Sequence, residues 1–172
     1  MSNPTISLYA ASIPVFKQML LSLSDVLTKA EAHAIDKKID PRVFLDARLY
    51  PDMLPLLRQV QIATDFARGT AARLAGIDVP VVENTEASFA DLQTLITSSL
   101  TFLASVSADS INGEESRAIV LRPGTPKEKH LNAHAYLLSY SLPQFFFHVT
   151  TTYALLRHNG VEIGKKDYMG TY

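Results

Sequence analysis

Apolar residues recur along the chain at steps of three and four, separated by short polar stretches. Ile6, Tyr9, Ile13, Phe16, Leu20, Leu23, Leu27 and Ala30 form the first series, the stripe that one face of an α-helix offers to a neighbour. The pattern returns at Leu56, Val60, Ala63, Ala67, Thr70 and Leu74, then at Phe89, Leu92, Ile96, Ser99, Leu103 and Val106. Its last copy is Leu138, Leu142, Phe145, Val149, Thr152 and Leu156. Four seams of about 20 residues each predict an all-α fold, an antiparallel four-helix bundle with helices about 30 Å long. A coiled coil would show continuous heptads flanked by charged pairs, and loops interrupt these series.

Turn chemistry separates the seams. Pro41, Pro51 and Pro55 stand between the first two, and Asp52 is a candidate cap for the second helix. "AGIDVPVVEN" closes the second seam, with Gly76 free to adopt the left-handed conformation that ends a helix. Thr85 and Glu86 suit the start of the third helix, and Gly160 of "RHNG" suits the end of the fourth. Pro14 and Pro143 fall inside seams, so each is expected to remove a backbone hydrogen bond and bend its helix. Between the third and fourth seams lies "SADSINGEESRAIVLRPGTPKEKHLNAHAY". "RAIVL" and "EKHLN" can pair as a short β-hairpin across "RPGTP". Thr125, Pro126 and Glu128 can equally open a helix with a capping box.

Composition narrows the class. A chain of 172 residues fits one domain, 1–172, large enough to hold itself together by burial alone. The absence of cysteine excludes disulfides, thiolate metal sites and cysteine nucleophiles, and suits the cytoplasm. A net charge of -1 from interspersed acids and bases argues against a nucleic-acid partner. "MSNPTISLYAASIP" lacks the features of a signal peptide, and the apolar run from Leu137 to Leu156 is too polar to face lipid. No membrane partner is expected.

The histidines are the candidate chemistry. His130 and His134 have zinc-ligand spacing only if their segment is helical, and no glutamate lies between them as in metalloproteases. His33 and His158 sit near helix ends, where the dipole favours a cation. His148 differs, because it shares a helix face with Phe145 and Thr152 and should point into the bundle. A buried imidazole must satisfy its ring nitrogens. Gln59 and Asp65 on the second helix are the polar groups placed to meet it. Tyr50 and Asp52, with Arg48, are candidates for a pocket rim, as is "GKKDYMG" at the C-terminus, which otherwise reads as a salt-bridged tail packed on the bundle.

"RLYPDMLPLLRQVQIATDFARGTAARLAG" and "LPQFFFHVTTTYALLRHNGVEIGKKDYMG" resemble the domain of unknown function 1993 family, grouped with the DinB/YfiT-like four-helix bundles. The likeness covers essentially the whole chain. It implies a divalent metal held by three histidines, one on the second helix and two at an i, i+4 spacing on the last, sometimes used to activate a thiol such as bacillithiol, mycothiol or glutathione. On this chain those positions hold Gln59, His148 and Thr152. One imidazole of three is kept, and an amide and a hydroxyl are weak donors to zinc or nickel.

Two readings follow. In the favoured one the metal site is degraded, no cofactor is expected beyond a residual divalent metal at His148, and the protein is a small-molecule binding module or a homodimeric structural one. Ala63, Ala67, Ala71 and Ala72 permit close packing of a neighbouring helix, whether inside the chain or across a dimer interface. In the alternative, a divergent metal- or thiol-dependent transferase or hydrolase-like enzyme uses His148 as its catalytic group, with Gln59 and Asp65 polarising a small substrate.

Overall fold

The computed structural model describes residues 6–172. Four long helices carry the seams: α1 (Ile13–Lys37), α3 (Leu56–Ala75), α4 (Phe89–Ser105) and α6 (Leu142–His158). Short helices α2 (Pro41–Leu45) and α7 (Lys165–Met169) flank them. Phe16, Leu20, Leu23, Leu27 and Ala30 are buried, as is every residue of the second and third seams. Each large aliphatic or aromatic side chain so placed contributes about 1.5–3 kcal/mol. Ile6 lies ahead of α1 and is 82% exposed, so the first seam begins later than its spacing suggests.

The bundle is not simply antiparallel. Gln59 meets His148 and Thr70 meets Ser141, so α3 and α6 run oppositely. Tyr9 meets Asn112 and Ser24 meets Gln93, which makes α1 and α4 antiparallel as well. Gln61 bonds Glu86 while Arg68 bonds Ser99, so α3 and α4 run in the same direction. The segment 76–88 must therefore return the length of α3. Extended, it can reach about 40 Å, enough for a helix of about 30 Å. Gly76 turns the chain at φ 67°, and the returning strand of chain lies along α3, with Val79 beside Gly69. The cap of α4 is Ser88, whose hydroxyl accepts the Asp91 N–H, so Thr85 and Glu86 precede the helix instead of opening it. Likewise Pro55, not Asp52, is the residue that caps α3.

Both hairpin strands form. β1 (Ala118–Leu121) pairs antiparallel with β2 (Lys129–Asn132), Ile119 opposite Leu131. Ile119 and Leu121 face the core while Ala118 and Val120 face out. Thr125 and Glu128 belong to the hairpin turn, where Glu128 accepts the Gly124 N–H. That contact holds the turn in place of a helix.

The two internal prolines behave differently. Pro14 falls in the first turn of α1, where its missing N–H has no helical partner to lose, so the bend expected there is not needed. Pro143 follows α5 (Ala133–Ala135) and a π-helical turn, Tyr136–Ser141, that leads without a break into α6. The helix widens just before the residue that cannot donate to the preceding turn. One extra residue per turn shifts the register. Tyr136, Leu137 and Ser141 become buried, and Leu138, placed in the fourth seam by its spacing, is 43% exposed.

The C-terminal α7 lies against α1. Ser22 donates to the Tyr168 carbonyl at 2.7 Å, Gln18 donates to the Met169 carbonyl at 2.9 Å, and Lys29 pairs with Asp167 at 2.5 Å. "GKKDYMG" thus packs as a tail. Ala63, Ala67, Ala71 and Ala72 are fully buried within the chain, so the close approach they permit serves its own helices and gives no support to a dimer. Among the described residues no helix is long and apolar enough to cross a membrane.

Candidate functional site

His148 sits midway along α6 and is 8% exposed. Its ring stacks on Phe66 with centroids 6.1 Å apart and meets Phe147 edge-on at 5.2 Å. Across from it, Gln59 lies one turn into α3 and is also buried. Gln59 Nε2 donates to the Leu54 carbonyl at 2.9 Å. A carbonyl only accepts, so the amide cannot be reversed, and Oε1 must be the atom that faces the imidazole. His148 Nδ1 is 2.6 Å from it and therefore carries the proton, donating to Gln59 Oε1. Burial holds the His148 pKa below the ordinary histidine value, because the desolvated ring resists charge. Burial thus favours the neutral ring, and the neutral tautomer that fits this contact carries its proton on Nδ1.

Thr152 stands next on the same face but turns away from the ring. Its hydroxyl donates to the His148 carbonyl at 3.0 Å, a bond along its own helix. The donors that a three-histidine metal site would need are therefore an amide oxygen already taken by an N–H, a hydroxyl already donating to backbone, and one imidazole. These residues do not fit a divalent metal. Nor does any other group of three or more His, Asp or Glu among the described residues have the arrangement to hold one.

The other sequence candidates scatter. Tyr50 is 65% exposed, and Asp52 is exposed in the turn that leads to Leu54. Asp65 pairs with Arg68 at 2.5 Å, and it is Gln59 that bonds His148. Burial raises the Asp65 pKa, against the lowering pull of Arg68. His130 lies on β2 and contacts Glu128 at 2.6 Å, whereas His134 lies in α5, so the two do not share one helix. His33 packs edge-on against Phe44 at 5.9 Å, and His158 is exposed at the end of α6.

Asp65 belongs to a different feature. A cleft of about 280 Å³ opens between α3, the returning 76–88 segment, the end of β1 and the π turn. Arg68, Arg73, Arg122, Tyr136 and Tyr140 line it with Asp65. Arg68 is 3% exposed, bonded to Ser99 at 2.7 Å and to Asp65. Arg73 lies 6.0 Å from the Tyr136 ring centroid and donates to the Gly69 carbonyl at 3.0 Å. Phe66 joins the two places, stacking on His148 and lying 6.0 Å from Tyr140. Attention to histidines passes over this cleft. The chain carries one signal of it, Tyr136 and Tyr140 one turn apart, but the π turn is what orients them.

Residues 8–169 match the family described as domain of unknown function, DUF1993. The chain belongs to the DUF1993 family. Its fold is also that of a crystal structure of a DinB family member protein from Shewanella denitrificans, at 38% sequence identity and a TM-score of 0.88. The match covers 96% of this chain and 93% of that one. No curated protein matches. The family resemblance carried by the α3 and α6 stretches is thus correct, and this DUF1993 member is a DinB-like bundle in which Gln59 and Thr152 stand beside a single histidine.

Proposed function

We propose that this protein is a small-molecule binding module whose ancestral metal pocket has become a hydrogen-bonded part of the core. One observation carries the reading: Gln59, its amide fixed by the Leu54 carbonyl, closes on His148 Nδ1 in a buried contact, so an amide and an imidazole are joined by a hydrogen bond where a three-histidine site would offer nitrogen donors. The Thr152 hydroxyl is committed to backbone beside it. A neighbouring cleft of about 280 Å³, close to the lower end of small-molecule sites, offers space for a ligand.

Elemental analysis after dialysis tests this directly. Untagged protein should hold well under one equivalent of zinc, nickel or iron. A stoichiometric metal that disappears in His148→Ala would overturn the reading.

A second reading is favoured by the fixed tautomer. With Nδ1 donating to Gln59, the other ring nitrogen keeps its lone pair, and the lowered pKa keeps it neutral, the state a general base requires. In that case His148→Ala would abolish a turnover, whereas a structural role predicts lost stability alone.

A further inference from the structure

We propose that the cleft between α3 and the π turn binds a small organic anion with a flat ring, its charged group held by Arg73 and Arg122 and its ring laid against Tyr140. The inference rests on the binding-module reading above and names the ligand chemistry of that site.

Charge is the first reason. Arg68, Arg73 and Arg122 line the cleft against one carboxylate, Asp65, which Arg68 already holds. A contiguous groove past Tyr140 adds Lys127 and Lys129. Five cations thus gather on one side of a chain whose net charge is -1. Neither Arg73, Arg122, Lys127 nor Lys129 has a carboxylate within ion-pair distance among the described residues. The nearest acid in sequence, Glu128, is held by His130 and the Gly124 N–H. Clustered unpaired cations beside low-dielectric walls concentrate an anion.

The second reason is how the arginines are held. Arg73 is anchored through one guanidinium nitrogen to the Gly69 carbonyl, which orients the rest of its planar fork over Tyr136. Arg122 has a left-handed backbone, φ 52°, which a residue with a side chain rarely adopts, and it is set there by the hairpin turn where its carbonyl accepts from Thr125. Two planar forks lining one cleft suit a carboxylate or phosphate, which accept bidentately.

The third reason is aromatic. Tyr136 and Tyr140 lie nearly parallel, 26° apart with centroids 6.0 Å apart, and Lys129 Nζ stands 6.0 Å from the Tyr140 ring. A flat ring attached to the anionic group would extend along this wall, and the volume of about 280 Å³ limits it to about one ring.

Backbone NMR titration of the full chain with 4-hydroxybenzoate, phenyl phosphate, inorganic phosphate and neutral 4-hydroxybenzamide tests the proposal. Either aryl anion should shift the amides of Arg73, Arg122, Tyr136 and Tyr140. Arg122→Gln, on an exposed turn, should leave the melting temperature unchanged and weaken binding about tenfold, the loss of one charge-assisted contact. Arg73→Gln should weaken it similarly. Inorganic phosphate or the benzamide binding as tightly as the aryl anions would overturn the proposal, as would no shift with either aryl anion at millimolar concentration. Equal binding by Arg122→Gln would do the same. A zinc titration in parallel separates the two claims: anion failure without metal binding sinks only the ligand class, whereas stoichiometric zinc at His148 sinks the binding-module reading.

Discussion

Replacing His148 and Gln59 by alanine, singly and together, measures whether their contact is part of the core. His148→Ala removes the donor from a buried Gln59 Oε1, at about 1–2 kcal/mol for an acceptor left short of a partner. It also removes a ring packed on Phe66 and Phe147, a packing loss of about 1–2 kcal/mol. The total is about 3 kcal/mol. Gln59→Ala loses the same bond and its anchor on Leu54, but the Leu54 residue is partly exposed and its carbonyl can turn to water, so about 2 kcal/mol is expected. Because both single changes delete the shared bond, the double variant should lose about 1 kcal/mol less than the two effects added. Urea unfolding followed by circular dichroism reads each value, the His148→Ala midpoint falling by about 1 M. Additivity within about 0.3 kcal/mol would refute the contact, as would an unchanged midpoint for His148→Ala.

Burial lowers the His148 pKa in the folded state, while the unfolded chain takes up its proton at about 6.5, so the unfolded state binds more protons between the two values. Stability should therefore be complete above pH 6.5 and fall as the pH drops through that window, by at most about 1.4 kcal/mol per unit. Denaturant midpoints from pH 5 to 7.5 should show this slope flattened in His148→Ala, and equal slopes would contradict the buried neutral ring. Installing two imidazoles, Gln59→His with Thr152→His, should create a three-histidine set and one equivalent of bound zinc by elemental analysis, and failure to bind would show that the backbone no longer suits an ion.

The helical seams were legible because burial at intervals of 3.6 residues writes itself into the order of apolar side chains. α3 and α4 followed their predicted stripes residue by residue, and Gly76 and Gly160 ended helices where a positive φ was needed. The hairpin could be read from β-branched alternation, although its turn residues equally suited a helix until the Gly124 contact to Glu128 decided between them. Periodicity misjudged Leu138. A π turn adds a residue to one turn, and a spacing rule that assumes a constant pitch cannot detect it.

Local pattern therefore determined the four long helices, most of their buried faces, and the singling out of His148 as a polar residue on an apolar stripe, while the short α2, α5 and α7 left no such stripe. Direction and partnership were decided by tertiary structure. Whether α4 runs with or against α3 depends on the path of segment 76–88, and no helical stripe encodes it. The Gln59 amide could have met His148 or solvent, and only the Leu54 carbonyl, brought close by the loop before α3, fixed which end of it faces the ring. The cleft is the clearest case. Arg73, Arg122 and Tyr140 come from a helix, a hairpin and a widened turn, far apart along the chain, and contacts of such separation are set by how packed elements meet and not by the order of neighbouring residues.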